Sequence, residues 1–400
     1  MPHKPHPPKP LRGAEPNTWA HSTITERLPE IVHRVIQENK FSAVIENALK
    51  TLYNEIPQSP IRFLKDTSAP DAEAWETYIA PHTAQNWLEV PWFFAEHYLY
   101  RRIIEAVRYF EIRQDPFIRQ KQRGLEISLG AIESLAAKLN AWLGKGNVTK
   151  AQLEQMLTID LWGNQADLSL WPADDKEKPH HANPKQAQQY VLADDREKAS
   201  QYLTGLKRQK ARVDFLMDNA GFELVTDLAL ADLLLSGKLT GTVKMHVKAH
   251  PTFVSDALAS DVWGAVYTLK NGNHPEMRLL GERVYAHLME KRLDLIPNFF
   301  WNSPRAFWDI PHPLRQELEK TNLLISKGDA NYRRLLGDCH WPFATPLAKI
   351  LGHFSAPVLA LRTLKAEVAA GISSPEVERA QKTDAHWMTN GRWGVVQLTN

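Results

Sequence analysis

From Lys207 onward, short β-rich runs alternate with helical ones, and that texture constrains the fold more than any other feature. "ARVDFLM" is followed by the helical pattern "FELVTDLALADLLLSG" and then by "GTVKMHVKAH"; later come "NLLISKG" and "APVLALRTLK", again separated by helical stretches. Such alternation predicts βαβ units and a mostly parallel sheet covered by helices. Upstream, from about Thr23 to Leu143, the signals are helical. "ITERLPEIVHRVIQEN" places Ile24, Leu28, Ile31 and Val35 on one face, and Pro91 opens a helical pattern through Trp92, Leu99, Ile103 and Val107. The expected class is α/β: a three-layer α/β/α Rossmann-like sandwich over residues 201–400, joined to a largely helical region over residues 17–200. A polar, proline-bearing insertion is expected near residues 172–198, and residues 1–16 read as a disordered or extended Pro-rich arm.

Composition narrows the function classes. The 48 basic and 46 acidic side chains nearly balance, with no basic block to track a phosphate backbone, which argues against a nucleic-acid binder. The single cysteine, Cys339, rules out an internal disulfide and fits a reducing compartment. The first residues lack the apolar core of a secretion signal, and no long apolar run predicts a membrane span; the expectation is a cytoplasmic protein. There is no GxxxxGK[ST] loop and no GxSxG elbow.

Ligands of open parallel sheets bind where loops leave the carboxyl ends of the strands. After the first strand come Asp218 and Asn219; beyond "VKMHVKAH" the chain reaches Asp256. After "NLLIS" come Lys327, Gly328, Asp329, Ala330, Asn331, Tyr332 and Arg333, and "PVLAL" ends in Arg362, Thr363, Leu364 and Lys365. Carboxylates and an amide suit a hard divalent cation, and lysine suits phosphate oxygens. Together they suit a phosphate ester. Each residue also has a structural reading: Asp218, Asn219 and Asp256 as helix caps, Lys365 as a surface lysine. His246 and His250 read as structural, the His180-His181 pair as a surface loop, and Cys339 as an inert thiol. Glu96 shares its face with Trp92 and Leu99, where a charge needs a partner. It either points over the active site or pairs with an arginine such as Arg27 or Arg101.

"DNAGFELVTDL", "HVKAHPTFVSD", "KGDANYRRLLGD" and "RTLKAE", with "WLEVPWFFAEHYLYRRI", "WNSPRAFWDIP" and "NGRWGVVQL", together resemble the damage-control phosphatases, a family of metal-dependent carbohydrate phosphatases. The likeness is to the Arg-Thr-x-Lys group related to the acidic-residue methyltransferase proteins, and runs from about residue 17. It implies metal ligands at Asp218, Asn219 and Asp256, a phosphate-binding Lys365, and a sugar-phosphate loop from Asp329 to Arg333, with Ala330 where many relatives have leucine. Glu223 matches an acidic position of the first motif. Glu96 and Arg27 match positions discussed for S-adenosylmethionine in eukaryotic relatives. The activity implied is hydrolysis of small sugar phosphates, of the fructose 1-phosphate or fructose 6-phosphate type, with manganese, magnesium, cobalt or nickel. Metal-bound water or Asp218 itself could serve as nucleophile. The rival readings are a carboxyl methyltransferase and a non-catalytic sugar-phosphate sensor.

Overall fold

The computed structural model describes residues 5–163, 188–208 and 210–399. Seven strands form one sheet: β1 (Val191–Asp194), β2 (Arg212–Leu216), β3 (Thr242–Lys248), β4 (Leu293–Asn298), β5 (Leu323–Lys327), β6 (Val358–Thr363) and β7 (Gly394–Thr399). Their order is β1-β7-β6-β5-β2-β3-β4. All neighbours are parallel except β6 and β7. Every residue of β5 and β6 is buried, as expected of central parallel strands covered on both faces. Pro297 is tolerated in β4 because that strand lies at the sheet's edge.

The order contains a reversal. From β2 the chain steps to β3 and then β4; from β5 it steps the other way, to β6. Right-handed crossovers therefore send the intervening helices to opposite faces. The boundary between β2 and β5 is a switch point, where a crevice opens at the carboxyl ends of the strands. The helix after β2, Phe222–Ser236, is buried from Phe222 to Leu235. It packs against the helices Leu129–Leu143, Lys150–Leu161 and Pro275–Met289, so a largely apolar surface suits it, and its buried Glu223, Asp227 and Asp232 each find a polar partner.

Three expectations change. The sheet begins before residue 201, since β1 pairs with β7. The polar stretch is shorter at its end, because β1 and the helix Arg196–Gly205 follow it; residues 172–187, with His180 and His181, lie outside the described residues. The described part of the Pro-rich arm, residues 5–16, is anchored, with bridges from Pro10 to Cys339 and from Arg12 to Pro91. The Leu11 N–H donates to the Asp338 carbonyl at 3.0 Å, its carbonyl accepts from the Trp92 N–H at 2.8 Å, and the side chain is buried. Among the described residues no helix is long and apolar enough to cross a membrane.

Candidate functional site

At the switch point, Asp218 and Asn219 leave β2 and meet the segment that follows β3. The two form a short antiparallel bridge, Asn219 opposite Asp256. The Ala257 N–H donates to the Asp218 carbonyl at 2.7 Å and the Ala220 N–H to the Ser255 carbonyl at 2.6 Å. Phe253 and Val254 in this segment carry positive φ angles of 49° and 66°. That backbone is costly for a β-branched residue and is kept only where surrounding bonds enforce it. Gly221 (φ 80°) opens the helix after β2, and Gly328 (φ 77°) the helix after β5.

These elements enclose a cavity of about 140 Å³, lined on the sheet side by Asp218, Asn219, Ser255, Asp256, Asp329, Arg333 and Lys365. The helical region supplies Trp19, Arg27, Trp92 and Glu96. Asp256 Oδ2 lies 3.0 Å from Lys248 Nζ, which also donates to the Trp301 carbonyl at 2.8 Å. Asn219 donates through Nδ2 to Asp218 Oδ2 at 2.7 Å and to Glu223 Oε2 at 2.8 Å, while its Oδ1 accepts from Ser255 Oγ. Opposite, Asp329 Oδ1 accepts from Arg362 Nε at 2.8 Å and from the Lys365 N–H at 3.0 Å, which pins the Lys365 loop. Neither the Lys365 ammonium nor the Arg27 guanidinium has an ion-pair partner among the described residues.

The electrostatics follow from burial. Loss of water, then Glu223 and Asp256, push the Asp218 carboxyl well above the usual range. Burial raises Asp256 as well, against the pull of Lys248. Lys248 in turn is held below the ordinary lysine range by burial, with Asp256 opposing. Asp329 differs: burial disfavours its charge, but Arg362 and Arg333 overcome that and lower it. The Asp218–Asp256 side is thus a carboxylate pair short of positive charge.

The sequence profile of the damage-control phosphatase ARMT1-like domain matches residues 23–380. The chain is 32% identical to the damage-control phosphatase ARMT1 of Danio rerio, with 98% of this chain and 97% of that protein covered. It is also 32% identical to the Mus musculus protein of that name, over 97% and 98%, and 29% identical to the Homo sapiens one. A crystal structure of a DUF89 family protein from Pyrococcus horikoshii aligns with a TM-score of 0.49 at 13% identity, over 95% of this chain and 98% of that one.

The chain belongs to the ARMT1-like damage-control phosphatase family. Phosphatase is the activity class that the family's description carries.

On this ARMT1-like fold, Asp218, Asn219, Asp256, Asp329, Arg333, Lys365 and Glu96 converge on one cavity. The others stand behind it. Residues 329–333 are the first turns of the helix Gly328–Leu336, not a loop. Helical spacing brings Asp329 and Arg333 to one face and turns Asn331 and Tyr332 away. Asn331 Nδ2 donates to the Met217 carbonyl at 2.9 Å, bracing the end of β2, and Tyr332 bonds to Gln397 at 2.8 Å. Arg362 is buried against Asp329 and the Ala366 carbonyl, and Thr363 lies within β6. Glu223 touches Asn219 from beneath. Glu96 both lines the cavity and is paired, with Arg333 at 2.6 Å; Arg101 pairs with Asp66 and Asp71 instead. His246 and His250 lie against Asp214 and Asp71, and burial pushes the Cys339 thiol up to about 12.

Sequence reasoning missed Lys248, Ser255, Trp19 and Phe253. A signal for Lys248 was present: a cation at the carboxyl end of a buried strand, in "VKMHVK", requires a carboxylate partner.

Proposed function

We propose that this protein is a divalent-cation-dependent phosphatase of small sugar phosphates, of the fructose 1-phosphate or fructose 6-phosphate type. The supporting observation is the polarity of the cavity, with Asp218 and Asp256 on one wall and the unpaired Lys365 and Arg27 facing the same space. The donors fit a hard cation: two buried carboxylates and an amide, without sulfur or imidazole. Asp218 and Asp256 would hold it with Asn219, and manganese, magnesium, cobalt or nickel suit such a set. Bound there, the cation supplies Lewis-acid stabilisation of charge on the phosphoryl oxygens.

The chain's own groups do the rest. Lys365, its backbone fixed by Asp329, offers an ammonium to the phosphoryl oxygens, where charge stabilisation has most effect in a water-poor site. Arg333 is stacked 3.7 Å over Trp92 and tied to Glu96 and Asp338, so its guanidinium is held at the wall without freedom to swing. The test is phosphate release from a panel of sugar phosphates, with and without manganese. Metal-dependent release from hexose monophosphates supports the reading. Methyl transfer from S-adenosylmethionine without phosphate release, or tight binding without turnover, would overturn it.

A further inference from the structure

Directly beneath the cavity lies a second cluster of charges that the reaction does not touch. Lys327, the last residue of β5, is 1% exposed; its Nζ lies 2.9 Å from Asp160 Oδ1 and 2.9 Å from Asp227 Oδ1, and donates to the Asp160 carbonyl at 2.9 Å. Glu223 Oε1 lies 3.8 Å from the same ammonium. Asp160 comes from the helix Lys150–Leu161, and Asp227 and Glu223 from the helix Phe222–Ser236. Burying three carboxylates on one ammonium is expensive and contributes little to stability. The cost requires another use.

The cluster ends on Asn219. Glu223 Oε2 accepts from Asn219 Nδ2 at 2.8 Å, and Asp218 Oδ2 accepts from the same nitrogen at 2.7 Å. The Lys327 ammonium beside Glu223 keeps that carboxylate an acceptor, and its contact turns the amide's NH2 group toward it. The amide oxygen is left on the side of Ser255, which donates to it. That orientation matters. Among the described residues no group of three or more His, Cys, Asp or Glu side chains is arranged to hold a metal. A cation at Asp218 and Asp256 therefore depends on the Asn219 oxygen as a third donor. A flipped amide would present N–H hydrogens to it.

We propose that Glu223, anchored by Lys327 with Asp160 and Asp227, is a positioning residue that sets the Asn219 amide oxygen-first toward the divalent cation. This rests on the proposed metal reading and goes beyond it, since it gives the buried cluster a role in metal affinity and none in contacting substrate.

Glu223→Gln keeps the side chain's volume but changes what it can ask of Asn219. Lys327 draws the new amide's oxygen, its NH2 then faces Asn219, and Asn219 is driven to turn. The experiment is calorimetric titration with manganese of the wild type, E223Q, N219D and the double variant, with melting temperatures to show that each is folded. E223Q should weaken manganese binding roughly 10-fold or more, as loss of an orienting partner does elsewhere. In the N219D background, where the side chain has two oxygens and no wrong orientation, E223Q should cause no such loss. Equal affinities of wild type and E223Q, or the same loss in both backgrounds, would overturn the proposal alone. A wild type that takes up no manganese would overturn the metal reading, and the proposal with it.

Discussion

A Cβ placed on residue 328 would lie 1.9 Å from Asp218 Oδ2, because Gly328 at the end of β5 leaves the space that the Asp218 carboxylate fills at the end of β2. The glycine also has φ 77°, a conformation that costs other residues. Gly328→Ala should therefore displace Asp218, with activity falling at least ~100-fold, on the scale of a lost charge-stabilising group, and with a lower melting temperature. Steady-state assay plus thermal denaturation checks both, and an active G328A would show that the close approach is not needed.

Asp218 predicts a separation of activity from stability, and Asp256 a loss of both. Asp218→Asn and Asp256→Asn each remove a charge that burial already disfavours. Each variant should lose phosphate release with manganese present, by roughly 100-fold or more. Asp218→Asn should not melt lower than the metal-free wild type, whereas Asp256→Asn takes the carboxylate partner from buried Lys248 and should melt lower. Calorimetric scanning in a chelator, beside the assay, provides the comparison. Full activity of either variant would remove these residues from the proposed metal site.

Lys365 predicts a different pattern. On the proposed reading, Lys365→Ala deletes one charge-assisted contact to the phosphoryl oxygens, worth about 1.5–3 kcal/mol. If the contact tightens as charge redistributes, kcat and kcat/KM fall together, and that is the expected result. Manganese affinity without substrate should change little, because an ammonium does not ligate a metal. A manganese titration that fails on the folded variant would show Lys365 organising the cation instead.

Acid stability should carry a mark of Asp214. Burial opposes the charge of this carboxyl, but His246 and Arg212 overcome it and hold it below its ordinary value of 3.8. A lowered folded value means that the stabilisation is complete above 3.8 and fades as pH falls through the folded value. Asp214→Asn should therefore be less stable than wild type by roughly 1–3 kcal/mol near neutrality, with the gap closing below about pH 4. Urea denaturation across that range measures it; a gap independent of pH would point to packing.

The anchored arm can be tested at Leu11, which is 2% exposed. Leu11→Ala should cost about 2–4 kcal/mol, the usual effect of truncating a buried leucine. A solvated arm would give no change in the denaturation midpoint.

Local chemistry carried much of this protein into view from its sequence. The strand runs at 213–217 and 323–327, and the turn residues that end them, are short-range patterns, so Asp218, Asn219, Asp256, Asp329 and Lys365 could be placed at strand ends without coordinates. β1 has four residues and β4 contains a proline, and neither shows a period strong enough to stand out. Tertiary structure alone decided the pairings. Glu96 meets Arg333 across 237 positions, and Lys327 meets Asp160 across 167, distances over which sequence spacing carries no information. It also decided direction. Asn331, Tyr332 and Arg362 belong to the right motifs, yet they turn inward to brace β2, Gln397 and Asp329. The reason is geometric: a helix or strand aims neighbouring side chains at different faces, and only the packed neighbours determine which face becomes a site and which becomes core.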